Sequence, residues 1–155
     1  MSKLISISIK QDDFNLPTPE VLQEQNLAIY DLTQSNSFQL VGFESYDEIK
    51  LNISLSGNSL VFEISSSSDK LLKTFYLSLT PLKQIINDYY TICESYFNAV
   101  KNLPIDKIES IDMGRKGIHN EGARVIIERL EGRIKTDLET SRRLFTLVYA
   151  LTYER

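Results

Sequence analysis

The chain has 155 residues, of which 42% are hydrophobic and 25% charged, and its formal net charge is −4. A chain of this length forms a single domain with a core large enough to need no disulfide or structural metal. The composition excludes a disordered protein, a collagen-like protein and a disulfide scaffold, since only one cysteine is present.

Arginine is confined to the last third of the chain. Residues 1–103 contain seven lysines and no arginine against twelve acidic residues, whereas residues 104–155 contain seven arginines and three lysines against nine acidic residues. Arginine pairs with carboxylates and phosphates through two parallel N–H groups, which lysine cannot do. We therefore divide the predicted single domain, residues 1–155, into a strand-and-helix part, 1–103, and an arginine-rich helical part, 104–155.

The hydrophobic pattern predicts a cytoplasmic protein that does not enter a membrane. Residues 4–9 alternate apolar and polar side chains and contain neither the continuous apolar segment nor the cleavage site of a secretory signal. The main apolar run, residues 144–151, is far shorter than the roughly 20 residues of a membrane-spanning helix. A single cysteine is also compatible with a reducing compartment.

The first third of the chain predicts a strand, a loop and a helix. Isoleucines that alternate with serines over residues 4–9 predict a half-buried strand, with Ile5, Ile7 and Ile9 on one face. Polar residues over 11–17 predict a loop. Thr18-Pro19-Glu20 is a typical helix start, with a hydroxyl cap, proline in the first turn and an acid near the positive end of the helix dipole. The expected apolar stripe of this helix, which ends near residues 35–36, comprises Val21, Leu22, Gln25, Ala28, Ile29 and Leu32.

The middle of the chain predicts an antiparallel meander covered by a long helix. Its four strands are expected at residues 38–43, 49–55, 60–64 and 71–79, with a hairpin at Gly57. Thr80-Pro81 then opens the longest helix, which Pro104 ends and whose apolar stripe is expected to lie across the sheet. Cys93 lies on this stripe and is expected to be buried and unreactive. Tyr89, Tyr90 and Tyr96 are expected to belong mainly to the core.

Glycines divide the last third into shorter predicted helices. Helices are expected over residues 105–112 and 121–131, the second capped by Asn120 and ended by Gly132, and a last apolar helix begins at a capping box formed by Thr136 and Glu139. The loop between these two helices lies within residues 112–122, and we call this segment the 112–122 loop. The predicted fold class is therefore α+β: a four-stranded antiparallel meander with a long helix packed on it, plus a C-terminal helical subdomain.

The predicted loop of residues 112–122 concentrates the residue types that carry chemistry. Two basic side chains and two glycines, Gly114 and Gly117, lie together there, next to the single histidine of the chain. A loop that enters a helix N-terminus presents free N–H groups, which attract anions. The alternative is structural, because glycines also serve turns and Asn120 also serves as a cap. The candidate binding residues are Asp112, Arg115, Lys116, His119, Asn120, Glu121, Arg142 and Arg143.

Two arginines near the start of the last predicted helix need an anionic partner. Arg142 and Arg143 lie in its first turns, where the helix dipole disfavours cations. Their partner is either an internal carboxylate, with Asp112, Glu121 and Asp137 as candidates, or an external anion. The sequence leaves both possibilities open.

His119 is the candidate acid or base, and no cofactor site is predicted. Asp112 or Glu121 would orient its ring in a catalytic role, whereas a hydrogen-bonded structural histidine is the alternative. One histidine and one cysteine without paired spacing predict no metal site. Neither a phosphate-binding nor a dinucleotide-binding glycine motif is present. The sequence pI of about 5.1 and the lack of an RNA-binding motif argue against nucleic acid as a partner.

Several segments resemble a known family. Residues 111–122 (IDMGRKGIHNEG), 129–135 (RLEGRIK) and 141–147 (SRRLFTL), together with 29–32 (IYDL), 79–82 (LTPL) and 88–96 (DYYTICESY), are similar to a small bacterial family catalogued as an uncharacterised protein family, number zero-two-six-two. The resemblance implies a stand-alone bacterial cytoplasmic protein. It implies no catalytic or binding role for any residue.

Three functional hypotheses follow from the sequence. The first is a small non-enzymatic binding or adaptor protein that recognises an anionic group, on a protein or a small molecule, through the 112–122 loop with Arg142 and Arg143. The second is an enzyme for a phosphorylated or carboxylated small substrate, with His119 as acid or base and the arginines as a clamp. The third is a homo-oligomer whose exposed sheet face or apolar last helix forms the interface.

Overall fold

The computed structural model describes residues 3–10 and 17–153, so most of the loop predicted for residues 11–17 lies outside the described residues. The described elements follow one another in the order β1 (Lys3–Ile9), α1 (Pro19–Gln34), β2 (Phe38–Leu40), β3 (Glu48–Ser56), β4 (Ser59–Ser66), β5 (Leu71–Ser78), a 3-10 turn (Thr80–Leu82), α2 (Lys83–Asn102), α3 (Ile105–Leu130), β6 (Ile134–Thr136) and α4 (Leu138–Thr152). The α+β class is confirmed.

The four-stranded sheet is mixed, and the predicted all-antiparallel meander is wrong in its first strand. The strand order is β1-β3-β4-β5, with β3, β4 and β5 antiparallel and β1 parallel to β3. The segment expected to begin the meander instead forms β2, which pairs antiparallel with β6 in a separate two-stranded sheet. Gly42, with φ of +90°, follows β2 after one residue and prevents a longer strand. The β6 strand was missed by sequence analysis because three residues carry no periodic signal.

The alternation in β1 is interrupted by a bulge. The register with β3 shifts between Leu4 and Ser6, so that Leu4 and Ile7 are buried while Ile5 is only partly buried. The predicted hairpin at Gly57 is confirmed: Ser56 pairs with Ser59, and Gly57 has φ of +58°. The sheet therefore contains the predicted strands β3, β4 and β5 in the predicted order. It differs from the prediction in its first strand, which is β1 rather than β2.

Helix α1 forms as predicted and is tied to β1. The Thr18 hydroxyl accepts a hydrogen bond from the Val21 N–H at 3.4 Å, as an N-cap does. At the other end, the Asn36 amide accepts from the Leu4 N–H at 3.1 Å and donates to the Leu4 carbonyl at 3.0 Å. These bonds fix the orientation of α1. Within the predicted stripe Leu22 is an exception, being exposed, and Ile29 is partly buried, whereas Val21, Gln25, Ala28 and Leu32 are buried.

The predicted loop of residues 112–122 is wrong, because α3 runs through it without interruption. The helix spans 26 residues, so Asn120 caps nothing and no helix N-terminus lies beside Arg115. A helical glycine costs only about 1 kcal/mol relative to alanine, which packing can offset. A Cβ on Gly122 would overlap the Phe145 ring of α4, so Gly122 is where α3 approaches α4 most tightly. Gly132, with φ of +84°, does follow the end of the helix, as predicted.

The central helix is α4 rather than the long helix expected on the sheet. The backbone of α4 contacts that of α1, α3 and β3, whereas the backbone neighbour of α2 is chiefly α3. The cap of α4 lies one residue later than predicted: Asp137 accepts from the Thr140 N–H at 2.8 Å, and Thr136 belongs to β6. Leu144, Phe145, Leu147 and Val148 of α4 are fully buried within the chain.

Two glycine substitutions in α3 test this packing. Gly122→Ala should lower the free energy of unfolding by about 1–3 kcal/mol, because the new methyl group overlaps Phe145. Gly117→Ala is the matched control in the same helix: nothing lies within 4 Å of its added Cβ, and the substitution should raise the free energy of unfolding by about 0.5–1 kcal/mol. Urea denaturation followed by circular dichroism measures both. A loss of stability in Gly117→Ala would contradict a helical residue 117.

Candidate functional site

Helices α1, α3 and α4, together with Tyr89 of α2, line an open cleft that contains three of the predicted site residues, His119, Arg142 and Arg143. The cleft has a volume of about 280 Å³. Each helix contributes charged or polar side chains to it, and Ala28 and Tyr89, both buried, add apolar surface. Its lining residues are Glu24, Leu27, Ala28, Asp31, Tyr89, His119, Glu139, Arg142, Arg143 and Thr146.

Internal carboxylates pair with the two arginines of α4. Arg142 Nη1 lies 3.1 Å from Glu139 Oε1, and Arg143 Nη1 lies 3.3 Å from Glu139 Oε2. Arg143 also reaches across to α1, where its Nε lies 3.6 Å from Asp31 Oδ2. Both arginines therefore have internal carboxylate partners, although these carboxylates are not those proposed from the sequence. Asp137 is instead occupied as the N-cap of α4.

Arg142 keeps a donor that nothing in the described part of the chain satisfies. Its Nε is buried and has no hydrogen-bond acceptor there. A buried donor without an acceptor costs about 1–3 kcal/mol. Its carboxylate partner, Glu139, lies on the same helix three residues earlier and has a side chain that is 63% exposed. The Nε of Arg143 is likewise buried without an acceptor in the described residues, but Arg143 pairs with two carboxylates, those of Glu139 and Asp31, whereas Arg142 pairs with one.

Arg115 is held by an acid of its own helix and by an acid and an aromatic ring on the neighbouring helices. Its Nη2 lies 2.6 Å from Asp112 Oδ1, its Nη1 lies 3.7 Å from Glu24 Oε1, and its guanidinium lies 4.5 Å from the centre of the Tyr96 ring. The hydrogen bond from Arg115 holds the pKa of Asp112 below its usual value. Lys116 also pairs with Asp112, at 3.1 Å. Arg115 thus borders the cleft through Glu24 without lining it.

His119 lines the cleft as a neutral side chain. Its Nε2 lies 2.8 Å from the Thr146 hydroxyl oxygen, and that hydroxyl donates to the Arg142 carbonyl at 3.3 Å. Thr146 therefore accepts a hydrogen bond from an Nε2–H group. Burial, together with the positive charges of Arg142 and Arg115, lowers the pKa of His119 to about 4. The predicted orienting carboxylates, Asp112 and Glu121, are not its hydrogen-bond partners.

The remaining predicted site residues lie outside the cleft. Glu121 is exposed, and Asn120 is partly buried with an Oδ1 that no donor reaches in the described part of the chain. Sequence analysis missed Glu24 and Asp31 because acids on a surface helix are ordinarily solvated. The available signal was their spacing of seven residues on the same face as buried Ala28, which places them beside the core.

The chemistry of the other reactive groups is limited. Cys93 is a buried free thiol whose pKa burial raises to about 11, so it is a poor nucleophile at neutral pH, as predicted. Tyr90 departs from the predicted core, with 40% of its surface exposed, whereas Tyr89 is buried.

Residues 3–10 and 17–153 contain no group of three histidine, cysteine or acidic side chains able to hold a metal ion. None of their helices combines the length and apolar character that crossing a membrane requires.

The protonation of His119 is directly measurable because it is the only histidine. Its NMR titration should have a midpoint near pH 4, below the ordinary value of 6.5. An unfolded chain takes up this proton near pH 6.5, so the folded state should lose stability as the pH falls from there toward 4, by on the order of 2 kcal/mol. In His119→Gln this part of the pH dependence should vanish from urea-denaturation curves. A midpoint above pH 6 would contradict the buried, neutral ring.

Comparison with known proteins confirms the resemblance over the whole chain. Residues 1–154 match the model of an uncharacterised protein family, UPF0262. A UPF0262 protein of Dinoroseobacter shibae is 47% identical over 157 aligned positions, which cover 99% of both chains. A UPF0262 protein of Ruegeria pomeroyi is 45% identical, covering 99% of this chain and 98% of its own.

A third relative agrees with these two. A UPF0262 protein of Paracoccus denitrificans is 46% identical over 154 positions, covering 97% of this chain and 95% of its own. No solved structure matches. The names of these bacterial relatives specify no activity, ligand or partner. The chain belongs to the uncharacterised protein family UPF0262.

Proposed function

We propose that this protein is a small non-enzymatic binding protein that takes an anionic group, a carboxylate or a phosphate, in the cleft between α1, α3 and α4. The observation that carries the proposal is the incomplete pairing of Arg142, whose buried Nε has no acceptor in the described residues. Arginine side chains replace the helix N-terminus as the expected anion-binding groups, because residues 112–122 are helical.

Glu139 would act as an internal substitute for the ligand. One oxygen of its carboxylate lies 3.1 Å from Arg142 Nη1 and the other lies 3.3 Å from Arg143 Nη1. These are the contacts that the oxygens of a bound anion would make. Exposed ion pairs of this kind contribute only about 0–1 kcal/mol. An incoming anion would therefore displace Glu139 into solvent at little cost and gain hydrogen bonds from two guanidinium groups.

One observation favours the alternative of an enzyme, namely that His119 lines the same cleft as Arg142 and Arg143. The lowered pKa of His119 argues against that alternative, because at neutral pH the ring is not in the imidazolium form that a general acid needs. A base with a pKa of about 4 is also weak. In addition, the hydrogen bond to Thr146 occupies its Nε2. Binding without catalysis fits the environment of His119 better.

Substitutions of the arginine and its internal carboxylate should change anion affinity in opposite directions. Arg142→Gln should weaken binding of acetate and inorganic phosphate by about tenfold, since a charged hydrogen bond contributes about 1.5–3 kcal/mol. Glu139→Gln should strengthen binding several-fold, because the competing carboxylate is removed. Heteronuclear NMR titration at constant ionic strength measures these affinities.

Arg129→Gln is the matched control for these titrations. Arg129 is an exposed arginine of α3 that does not line the cleft, so its loss removes the same charge and should leave the affinities unchanged. Thermal unfolding checks that each variant is folded. If neither anion shifts cleft signals in the unmodified protein or in Glu139→Gln, the arginines serve only internal pairing and the proposal is wrong.

A further inference from the structure

We infer that the ligand of this cleft carries an ammonium group as well as its anionic group, and is thus an amino acid or a related amino-carboxylate. This inference rests on the proposed function and narrows its class of ligand. The reason is that the charged side chains lining the cleft from α1 are both acidic, whereas those lining it from α4 carry a net positive charge.

The wall formed by α1 is acidic and the wall formed by α4 is basic. Glu24 and Asp31 lie seven residues apart on α1, about two helical turns, and both line the cleft with Ala28 between them. Arg142 and Arg143 line it from α4. A molecule between these walls therefore meets carboxylates on one side and guanidinium groups on the other.

Arg143 already has an ion-pair partner on the facing helix. Arg143 Nε lies 3.6 Å from Asp31 Oδ2, which links α4 to α1 directly. No such cross-link joins Arg142 to α1, since the acid that pairs with it is Glu139 of its own helix. The place left for a bridging ligand is therefore beside Arg142 rather than beside Arg143.

Glu24 is the less exposed of the two α1 carboxylates, at 28% against 36% for Asp31, and its pairing is incomplete. In the described part of the chain it forms one ion pair, with Arg115 at 3.7 Å, a distance longer than a hydrogen bond. Burial raises its pKa, and the charge of Arg115 opposes that rise without cancelling it. A ligand ammonium beside Glu24 would supply the donors that this carboxylate lacks and would favour its ionised form.

Charge balance argues against a simple anion as the preferred ligand. Three carboxylates line the cleft, those of Glu24, Asp31 and Glu139, against two arginines. A ligand with only negative charge is attracted by the arginines and repelled by Glu24, whereas an amino-carboxylate satisfies both walls without adding net charge. The volume of about 280 Å³ lies at the lower limit of ligand pockets and fits a small molecule. Ala28 and Tyr89 offer apolar contact to a short carbon chain.

Three matched pairs of small molecules test the inference in the unmodified protein at neutral pH. In glycine and acetate, β-alanine and propionate, and γ-aminobutyrate and butyrate, the members of each pair differ only by the ammonium group. Heteronuclear NMR titration should show the amino member binding at least about tenfold tighter in one or more pairs. The pair with the largest affinity ratio indicates how far apart the ammonium and carboxylate of the ligand must be to reach Glu24 and Arg142.

Glu24→Gln should abolish the preference for the amino member while leaving the affinity for the plain carboxylate equal or higher. Glu20→Gln is the control, because Glu20 is an exposed acid of the same helix outside the cleft. If Glu24→Gln does not fold, the ratios in the unmodified protein decide the question alone.

The outcomes separate this inference from the proposed function. Equal affinities within all three pairs, with Arg142→Gln still weakening acetate, would overturn the amino-carboxylate class and leave anion binding standing. Cleft binding by propylamine as tight as that of the amino-carboxylates would also overturn it, because the carboxylate would then contribute nothing. If no member of any pair binds, the inference is wrong; if inorganic phosphate also fails to shift cleft signals, in the unmodified protein and in Glu139→Gln, the proposed function is wrong as well.

Discussion

The close contact between α3 and α4 at Gly122 and Phe145 determines the rest of the site. A side chain larger than hydrogen at position 122 would overlap the Phe145 ring, so the two helices approach as closely as they do only because glycine is present. His119 lies about one turn before Gly122, and Thr146 follows Phe145 directly. Their 2.8 Å hydrogen bond is therefore a consequence of this contact. The α4 arginines that precede Phe145 are placed at the rim of the cleft by the same packing.

The cluster of arginines in the last third of the chain is not a basic surface. Arg115 is held by Asp112, and Arg142 and Arg143 share Glu139, so most of their charge is balanced within one helical turn. What distinguishes the cleft is the helix that faces them. Helix α1 comes from the half of the chain without arginine, and its acids pair across the gap with α3 and α4.

The spacing of apolar and polar residues correctly predicted those elements whose signal lies within one continuous stretch of the chain. Helix α1 with its Thr18 cap, the hairpin at Gly57 and the burial of Cys93 follow from spacing and turn chemistry. The loop of residues 112–122 was predicted wrongly because glycine is ambiguous: it serves a turn in one context and close helix packing in another. Which of the two applies at Gly122 depends on Phe145, more than twenty residues away in sequence.

The sequence by itself determined the α+β class, the family, most helix and strand locations, and the fact that the α4 arginines need an anionic partner. These properties depend on residues within a few positions of one another. The tertiary structure alone decided that β1 pairs parallel with β3, that β2 pairs with β6, and that Glu24 and Asp31 of α1 face His119 and Arg142. Strand partners and cleft walls are contacts between distant segments, and they are selected by the packing of buried side chains, which no local pattern encodes.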